Sequence, residues 1–320
     1  KSLDLSACKN ISWLGCQDNL LTELDLSMME TPGDYFLLGG QGNSSGENLT
    51  ITIKMTDAWK DAWYSLLDNG YNNIRVVIEG EITPGDDEFM ISNKNFAAAL
   101  LNVLGAEKLT ITESGRAIMK KEVASTVTSL NLNGQTGISK LTGLENFVNL
   151  EQLWADGVGL EGHIDYSQNP SLKYLDLSRN PGITDMHVQD NLKLTHLFLV
   201  DSPIYDLDVT NNVNLESLLV VNSNIWRLNV GNNPKLNHLN CRENRLSELN
   251  VTRNSLLTQL YCGGQRDNIT MHVTMTSAQK EWWDKDYVDR WENTNVEVTI
   301  KDMISGGNGN LDNFGSGGEF

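Results

Sequence analysis

A leucine pattern that recurs every 21 to 23 residues from Val127 onward is the feature that most constrains the fold of this chain. Seven segments follow the template L-x-x-L-x-[LVAC], and their central leucines are Leu130, Leu153, Leu175, Leu197, Leu218, Leu239 and Leu260. The alternation around each central leucine is typical of a strand that buries one face. One such unit cannot bury its own apolar edge, whereas units stacked about 4.8 Å apart bury it continuously. The repeat therefore predicts a solenoid with a parallel sheet along one wall.

Each unit carries a second apolar set and then an asparagine. The second sets are Ile183-Met186-Val188, Ile204-Leu207-Val209, Ile225-Leu228-Val230 and Leu246-Leu249-Val251, and the asparagines are Asn169, Asn191, Asn212, Asn233 and Asn254. We expect the second set to form another short strand on the opposite wall, which leaves little room for a helix. An amide at the same turn of every unit can bond the backbone groups that the bend frees.

The sequence resembles a known family. Leu236 to Asn254, which reads L-x-x-L-x-C-x-x-N-x-L-x-x-L-x-V-x-x-N, is similar to the short-period leucine-rich repeats of surface proteins from Bacteroidetes bacteria. The run Leu141 to Leu153 (LTGLENFVNLEQL) resembles the opening repeat of those proteins and of internalin-like domains, and Phe96 to Val127 resembles their helical N-terminal cap. The resemblance implies a β-rich α/β fold: a leucine-rich repeat solenoid of short parallel strands with a helical N-terminal cap.

The N-terminal part of the chain duplicates the C-terminal part. Leu5 to Leu26 match Val209 to Val230 at a constant offset of 204 residues, and Asn48–Tyr64 match Asn268–Asp284 at an offset of 220. Both copies of the second match combine a strand, an amphipathic helix and a returning strand. We interpret each copy as a strand-helix-strand C-terminal cap, in which Trp63 or Trp283 covers the open end of a solenoid.

These patterns divide the chain into five segments. They are residues 1–83, a remnant leucine-rich repeat with its cap; 84–126, the N-terminal cap of the main array; 127–265, the solenoid; 266–304, the second C-terminal cap; and 305–320, a flexible Gly-rich tail.

Composition and motifs argue against most other classes of function. The formal charge of −18 would repel the phosphates of nucleic acid, and no apolar run approaches the roughly 18 residues of a membrane helix. None of the histidines has a partner at ligand spacing, and Leu104–Leu109 lacks the oxygen ligands that a calcium loop needs. We predict no metal and no cofactor. The only visible source of catalytic carboxylates is the caps, with residues such as Asp86, Asp87 and Glu88, which look like a loop, so we expect no enzyme.

The remaining signal is a set of aromatic and apolar residues at outward positions of successive strands. The predicted site residues are Trp154, Tyr174, His196, Phe198, Leu219, His238 and Tyr261. Contiguous outward patches of this kind usually mark an interaction surface. The residues do not decide between a protein, a peptide and a glycan. A structural or self-assembly role is the alternative to recognition.

The resemblance also implies a location and an assembly state. We expect a monomer that is extracellular or on the bacterial cell surface, an outer-membrane lipoprotein being one form, with its anchor outside this chain.

Overall fold

The computed structural model describes residues 2–5, 13–15, 21, 23–27, 35–37, 49–55, 74–78, 84–286 and 294–302. The N-terminal part contributes β1 (Ser2–Asp4), β2 (Trp13–Gly15), β3 (Glu23–Asp25), β4 (Tyr35–Leu37), β5 (Leu49–Lys54) and β6 (Ile74–Ile78). Four of these strands form a parallel sheet in the order β1-β3-β5-β6, and β2 pairs with β4. Successive strands are therefore stacked as in a solenoid, as the leucine pattern of this segment indicates.

A small antiparallel unit precedes the main array. It comprises β7 (Glu88–Ile91), α1 (Lys94–Leu104), β8 (Leu109–Ile111), β9 (Ala117–Lys120) and α2 (Lys121–Ser125), with the strand order β7-β9-β8. Asn93 caps α1, because its side chain accepts a hydrogen bond of 2.9 Å from the backbone N–H of Phe96. The rings of Phe89 and Phe147 meet edge to face at 6.1 Å, so this helical cap packs directly on the first coil.

The main array forms a seven-stranded parallel sheet. Its strands are β10 (Ser129–Asn131), β11 (Gln152–Trp154), β13 (Tyr174–Asp176), β15 (His196–Phe198), β16 (Ser217–Leu219), β17 (His238–Asn240) and β19 (Gln259–Tyr261). Each central leucine lies beside the next in register and is fully buried, for example Leu175 beside Leu197. The predicted leucine-rich repeat solenoid is confirmed. We use "coil" for one turn of it.

The opposite wall of the solenoid, which we call the return wall, differs from the prediction. It comprises the second apolar set of each coil and contains β12 (Glu161–Asp165), β14 (Gly182–His187) and β18 (Glu248–Asn250). In the continuously described stretch 84–286, residues 204–209 and 225–230 form no strand, although Ile204 and Ile225 are fully buried. Ile183-x-x-Met186 has the same spacing and lies in β14, so residue spacing alone does not separate the coils that have a return strand from those that have none. The expectation of a second strand in every coil is therefore wrong.

The asparagine column is a ladder of side-chain hydrogen bonds. The Nδ2 of Asn254 donates to the backbone oxygens of Val230 and Asn233 at 2.8 and 2.9 Å. Asn191, Asn212 and Asn233 repeat this arrangement one coil apart. Each buried amide thus gives a second hydrogen bond to carbonyl oxygens of the preceding coil that already accept a backbone N–H of their own coil, and so links one coil to the next.

A second ladder follows the strands of the main sheet. Its members are Asn180, Ser202, Ser223, Asn244 and Gln265. The Asn180 amide donates to the backbone oxygen of Ala155 and accepts from the backbone N–H of Gly159. The two ladders therefore join neighbouring coils at both ends of the strands from β13 to β19.

A strand-helix-strand unit ends the described chain. It consists of β20 (Met271–Met275), α3 (Ser277–Asp286) and β21 (Val296–Ile300), and β18, β20 and β21 form a parallel sheet. Trp283 on α3 is only 2% exposed and packs on the core. The matching strands of the N-terminal duplicate, β5 and β6, pair in the same register as β20 and β21. Ile51 pairs with Val76, and Met271, 220 residues after Ile51, pairs with Val296. Trp63, the helix predicted around it and the Gly-rich tail lie outside the described residues, and the five segment boundaries remain a prediction.

Candidate recognition surface

The predicted site residues lie on the outward side of the main sheet, which we call the strand face. The face comprises Trp154, Tyr174, His196, Phe198, Leu219, His238 and Tyr261, all of them partly exposed. They project outward because Leu153, Leu175, Leu197 and the other central leucines occupy the inward positions next to them. The register places Tyr174 beside His196 and Phe198 beside Leu219.

Four of these side chains form one aromatic cluster. The rings of Trp154 and Tyr174 lie 5.0 Å apart, and Tyr174 stacks on His196 at 5.6 Å with an interplanar angle of 26°. Phe198 meets Tyr174 edge to face at 5.2 Å. Such contacts are each worth about 0.5–1.5 kcal/mol beyond the burial of area, so they hold the rings in fixed positions.

His238 and Tyr261 form a second, smaller cluster. Their rings are 6.0 Å apart, and the guanidinium of Arg242 lies 5.9 Å from the centre of the Tyr261 ring. Leu219 lies on the strand between the two clusters, next to the outward Val221, which is only 7% exposed. The strand face therefore has an apolar centre between two aromatic ends.

Ser217 belongs to this surface and was not among the predicted residues. The register sets it between His196 and His238, and its Oγ lies 3.4 Å from Nδ1 of His238. The sequence did offer one signal, because Ser217 is the third residue of its repeat and that position points outward. A serine there is too common a residue type to indicate a binding site. Burial lowers the pKa of His238, so the imidazole beside this hydroxyl is neutral at pH 7.

Charges border the aromatic cluster. Burial raises the pKa of Tyr174; a hydrogen bond with Trp154 lowers it, and the nearby Asp176 carboxylate raises it further. At the margin, Arg179 forms a bidentate salt bridge with Asp156, in which Nε and Nη2 donate to the two carboxylate oxygens. Asp156 and Arg179 thus lie at the margin, whereas Asp176 lies in register between Trp154 and Phe198 and places one carboxylate within the aromatic part of the face.

The cysteines that the structure describes lie behind this sheet. Cys241 and Cys262 are free and fully buried. Burial raises the pKa of the Cys241 thiol to about 12, and that of Cys262 is raised by burial and by the neighbouring Cys241. Thiols with such pKa values are inert at neutral pH.

The acidic residues of the N-terminal cap do not converge on a site. Asp86 and Asp87 are exposed, and the carboxylate of Glu88 accepts a hydrogen bond of 2.9 Å from the backbone N–H of Gly85. Across the described residues there is no group of three or more His, Cys, Asp or Glu side chains that could hold a metal ion. The histidines away from the strand face pair singly with acids: His163 with Asp185, His187 with Asp190 and His272 with Glu297.

Comparison with known proteins finds likenesses in solved structures alone. No protein-family profile matches the chain, and no curated protein matches it. One similar structure is the functional domain of InlJ from Listeria monocytogenes, which includes a cysteine ladder; identity is 27%, the TM-score is 0.38, and the match covers 58% of this chain and 50% of that one. The chain therefore spans half the length of that domain.

Two further similar structures are more distant in sequence. Internalin C2 from Listeria monocytogenes is 15% identical, with a TM-score of 0.48 and coverage of 69% of this chain and 100% of the other. A leucine-rich repeat protein of Leptospira interrogans is 16% identical, with a TM-score of 0.44 and coverage of 88% and 72%. Among the described residues, no helix has the length and apolar character needed to cross a bilayer.

Proposed function

We propose that the chain is a noncatalytic recognition module that binds a protein partner on the strand face. The observation that carries this proposal is the cluster of Trp154, Tyr174, His196 and Phe198, whose rings are held outward by contacts with one another. Aromatic side chains in fixed positions lose little conformational entropy on binding, and they dominate the energetics of most protein interfaces.

The geometry of the rings favours a protein over a glycan. Sugars bind best to flat ring faces that are open to solvent, whereas here Tyr174 is stacked on His196 and Phe198 stands almost perpendicular to both rings. The centre of the face is apolar, because Leu219 lies beside Phe198 in register and the strands of these two residues are followed by Val200 and Val221. Aromatic and aliphatic anchors with a few polar groups among them, here Asp176 and Ser217, are typical of a protein interface.

The dimensions suit a macromolecule. Five coil steps separate Trp154 from Tyr261, so at about 4.8 Å per step the face is roughly 25 Å long. An interface side of this length is typical of a specific protein complex, which buries about 800 Å² on each partner. A small metabolite would contact only a fraction of it.

Location, source and assembly state are parts of the same proposal. A monomeric module on a bacterial cell surface, of the Bacteroidetes type that the repeat resembles, fits a rigid array whose outward residues are not used for catalysis. The alternative of self-assembly predicts association of the chain with itself through the same face.

A screen against two arrays tests the proposal. The parent chain and the double variant Trp154→Ala/Phe198→Ala are applied to an array of extracellular proteins and to a glycan array, and light scattering records the mass of each. We expect a protein ligand that the double variant loses and that the control Leu192→Ala/Val213→Ala keeps, since Leu192 and Val213 are exposed outside the strand face. Glycan binding, or self-association that the double variant abolishes, would contradict the proposal.

A further inference from the structure

Two aromatic residues on the return wall are unlike those of the strand face. Tyr205 is 60% exposed and Trp226 is 59% exposed, the highest values among the large hydrophobic side chains that the structure describes. Each follows a buried isoleucine, Ile204 or Ile225, so the two occupy the same position of consecutive coils. Among the described residues neither ring contacts another aromatic ring. Both side chains are therefore largely exposed and are not covered by another ring of the described residues.

The wall around these rings is acidic. Its four apolar segments, 183–188, 204–209, 225–230 and 246–251, carry the carboxylates Asp185, Asp206, Asp208 and Glu248 and the single cation Arg227. Hydrogen bonds from Thr210 lower the pKa of Asp208, and the charge of Arg227 makes a smaller contribution in the same direction. Asp206 directly follows Tyr205, is exposed, and makes no hydrogen bond or ion pair to another described residue. Tyr205 is thus followed directly by an exposed carboxylate, and the equivalent position after Trp226 is Arg227.

We infer that Tyr205, Trp226 and Asp206 form a second binding surface, which takes a lysine- or arginine-rich segment of a protein. A cation over an open aromatic face is attracted by the ring quadrupole, and a carboxylate next to the ring adds Coulomb attraction. The charge of −18 on the whole chain raises the rate at which a basic partner arrives. This inference is independent of the proposal for the strand face, because the two surfaces lie on opposite walls.

Fluorescence anisotropy with a defined probe tests the inference. The probe is a fluorescein-labelled octapeptide of alternating lysine and glycine, titrated with the full chain at physiological salt. The variant Tyr205→Ala/Trp226→Ala leaves the net charge unchanged, so it separates the rings from the overall field. We expect this variant to bind about five- to thirtyfold more weakly, from two lost cation–π contacts. Asp206→Asn should bind about two- to fivefold more weakly.

Two control variants accompany the binding measurement. Leu192→Ala/Val213→Ala removes two exposed apolar side chains elsewhere, and Glu113→Gln removes one exposed charge from the N-terminal cap; both should stay within twofold of the parent. Equal binding by the parent and by Tyr205→Ala/Trp226→Ala would overturn the inference, since net charge alone would then hold the probe. Absence of binding to the parent would also overturn it. So would binding of neutral cellohexaose that needs Tyr205 and Trp226 while the lysine probe does not.

Discussion

The side chain of Gln279 donates a hydrogen bond of 3.0 Å to the backbone oxygen of Asn254 and so continues the asparagine ladder beyond its last asparagine. A second bond of 2.9 Å reaches the oxygen of Val251, as Asn254 itself reaches Val230 and Asn233. The same residue caps helix α3: its side-chain Oε1 accepts from the backbone N–H of Thr276, and its backbone N–H donates to the Thr276 hydroxyl. Gln279 therefore both completes the hydrogen-bond ladder of the array and caps the first turn of α3.

Replacing Gln279 by Glu should destabilise the chain by about 3 kcal/mol or more. The carboxylate can still accept from Thr276, but it loses both donors and faces two carbonyl oxygens in a site that is 4% exposed. Urea unfolding followed by circular dichroism measures the change. The control Gln259→Glu, at an exposed position of β19, should stay within about 0.5 kcal/mol. Equal midpoints for the two variants would rule out the shared role of Gln279.

Sequence reasoning recovered the strands of the main sheet because burial of a leucine every 21 to 23 residues leaves a periodic trace. It could not find Gln279, which follows Asn254 by 25 residues and is supplied by a helix rather than by a coil. The sequence also led us to expect strands at 204–209 and 225–230. There the apolar side chains are buried in the core, but the backbone does not form the hydrogen bonds of a β-sheet. Contacts such as that of Tyr174 with His196 depend on rotamers, which residue spacing does not determine.

Leu197→Ala should cost about 2–5 kcal/mol, the usual range for a truncation that leaves a cavity in a packed core. Leu197 is fully buried between Leu175 and Leu218 in register. Leu192, five residues earlier and 56% exposed, offers a matched control, and Leu192→Ala should cost less than about 0.5 kcal/mol. Thermal melting of both variants compares them, and a parent-like curve for Leu197→Ala would invalidate the burial of this position.

Asp208→Asn should lower the stability at neutral pH and leave it unchanged in acid. Hydrogen bonds from Thr210 lower the pKa of Asp208 below its ordinary value, so the carboxylate stabilises the folded chain above its unfolded pKa of about 4. That contribution is lost as the pH falls through the lower, folded pKa. Urea midpoints of parent and variant, measured at several pH values, should differ at neutral pH and converge as the pH falls through the folded pKa. A gap that persists in acid would mean that the charge of Asp208 is not the cause.

Cys241 and Cys262 should not react with a thiol reagent at pH 8 until the chain unfolds. Burial raises the pKa of Cys241 to about 12 and hides both sulfur atoms. Because Cys8 and Cys16 lie outside the described residues, the measurement uses a Cys8→Ser/Cys16→Ser background. The raised folded pKa also predicts a loss of stability as the pH rises through the unfolded thiol pKa of about 8.5. Rapid labelling under native conditions would contradict the buried position of these thiols.

Isothermal titration of the chain with its array-identified protein partner tests the central claim most directly. The account predicts that Trp154→Ala and Phe198→Ala each weaken binding by more than about 1 kcal/mol, as truncation of aromatic anchors does, with little change in melting temperature. Leu192→Ala should bind as the parent does. Parent-like affinity in both strand-face variants would contradict the claim that the seven-stranded sheet presents the recognition surface.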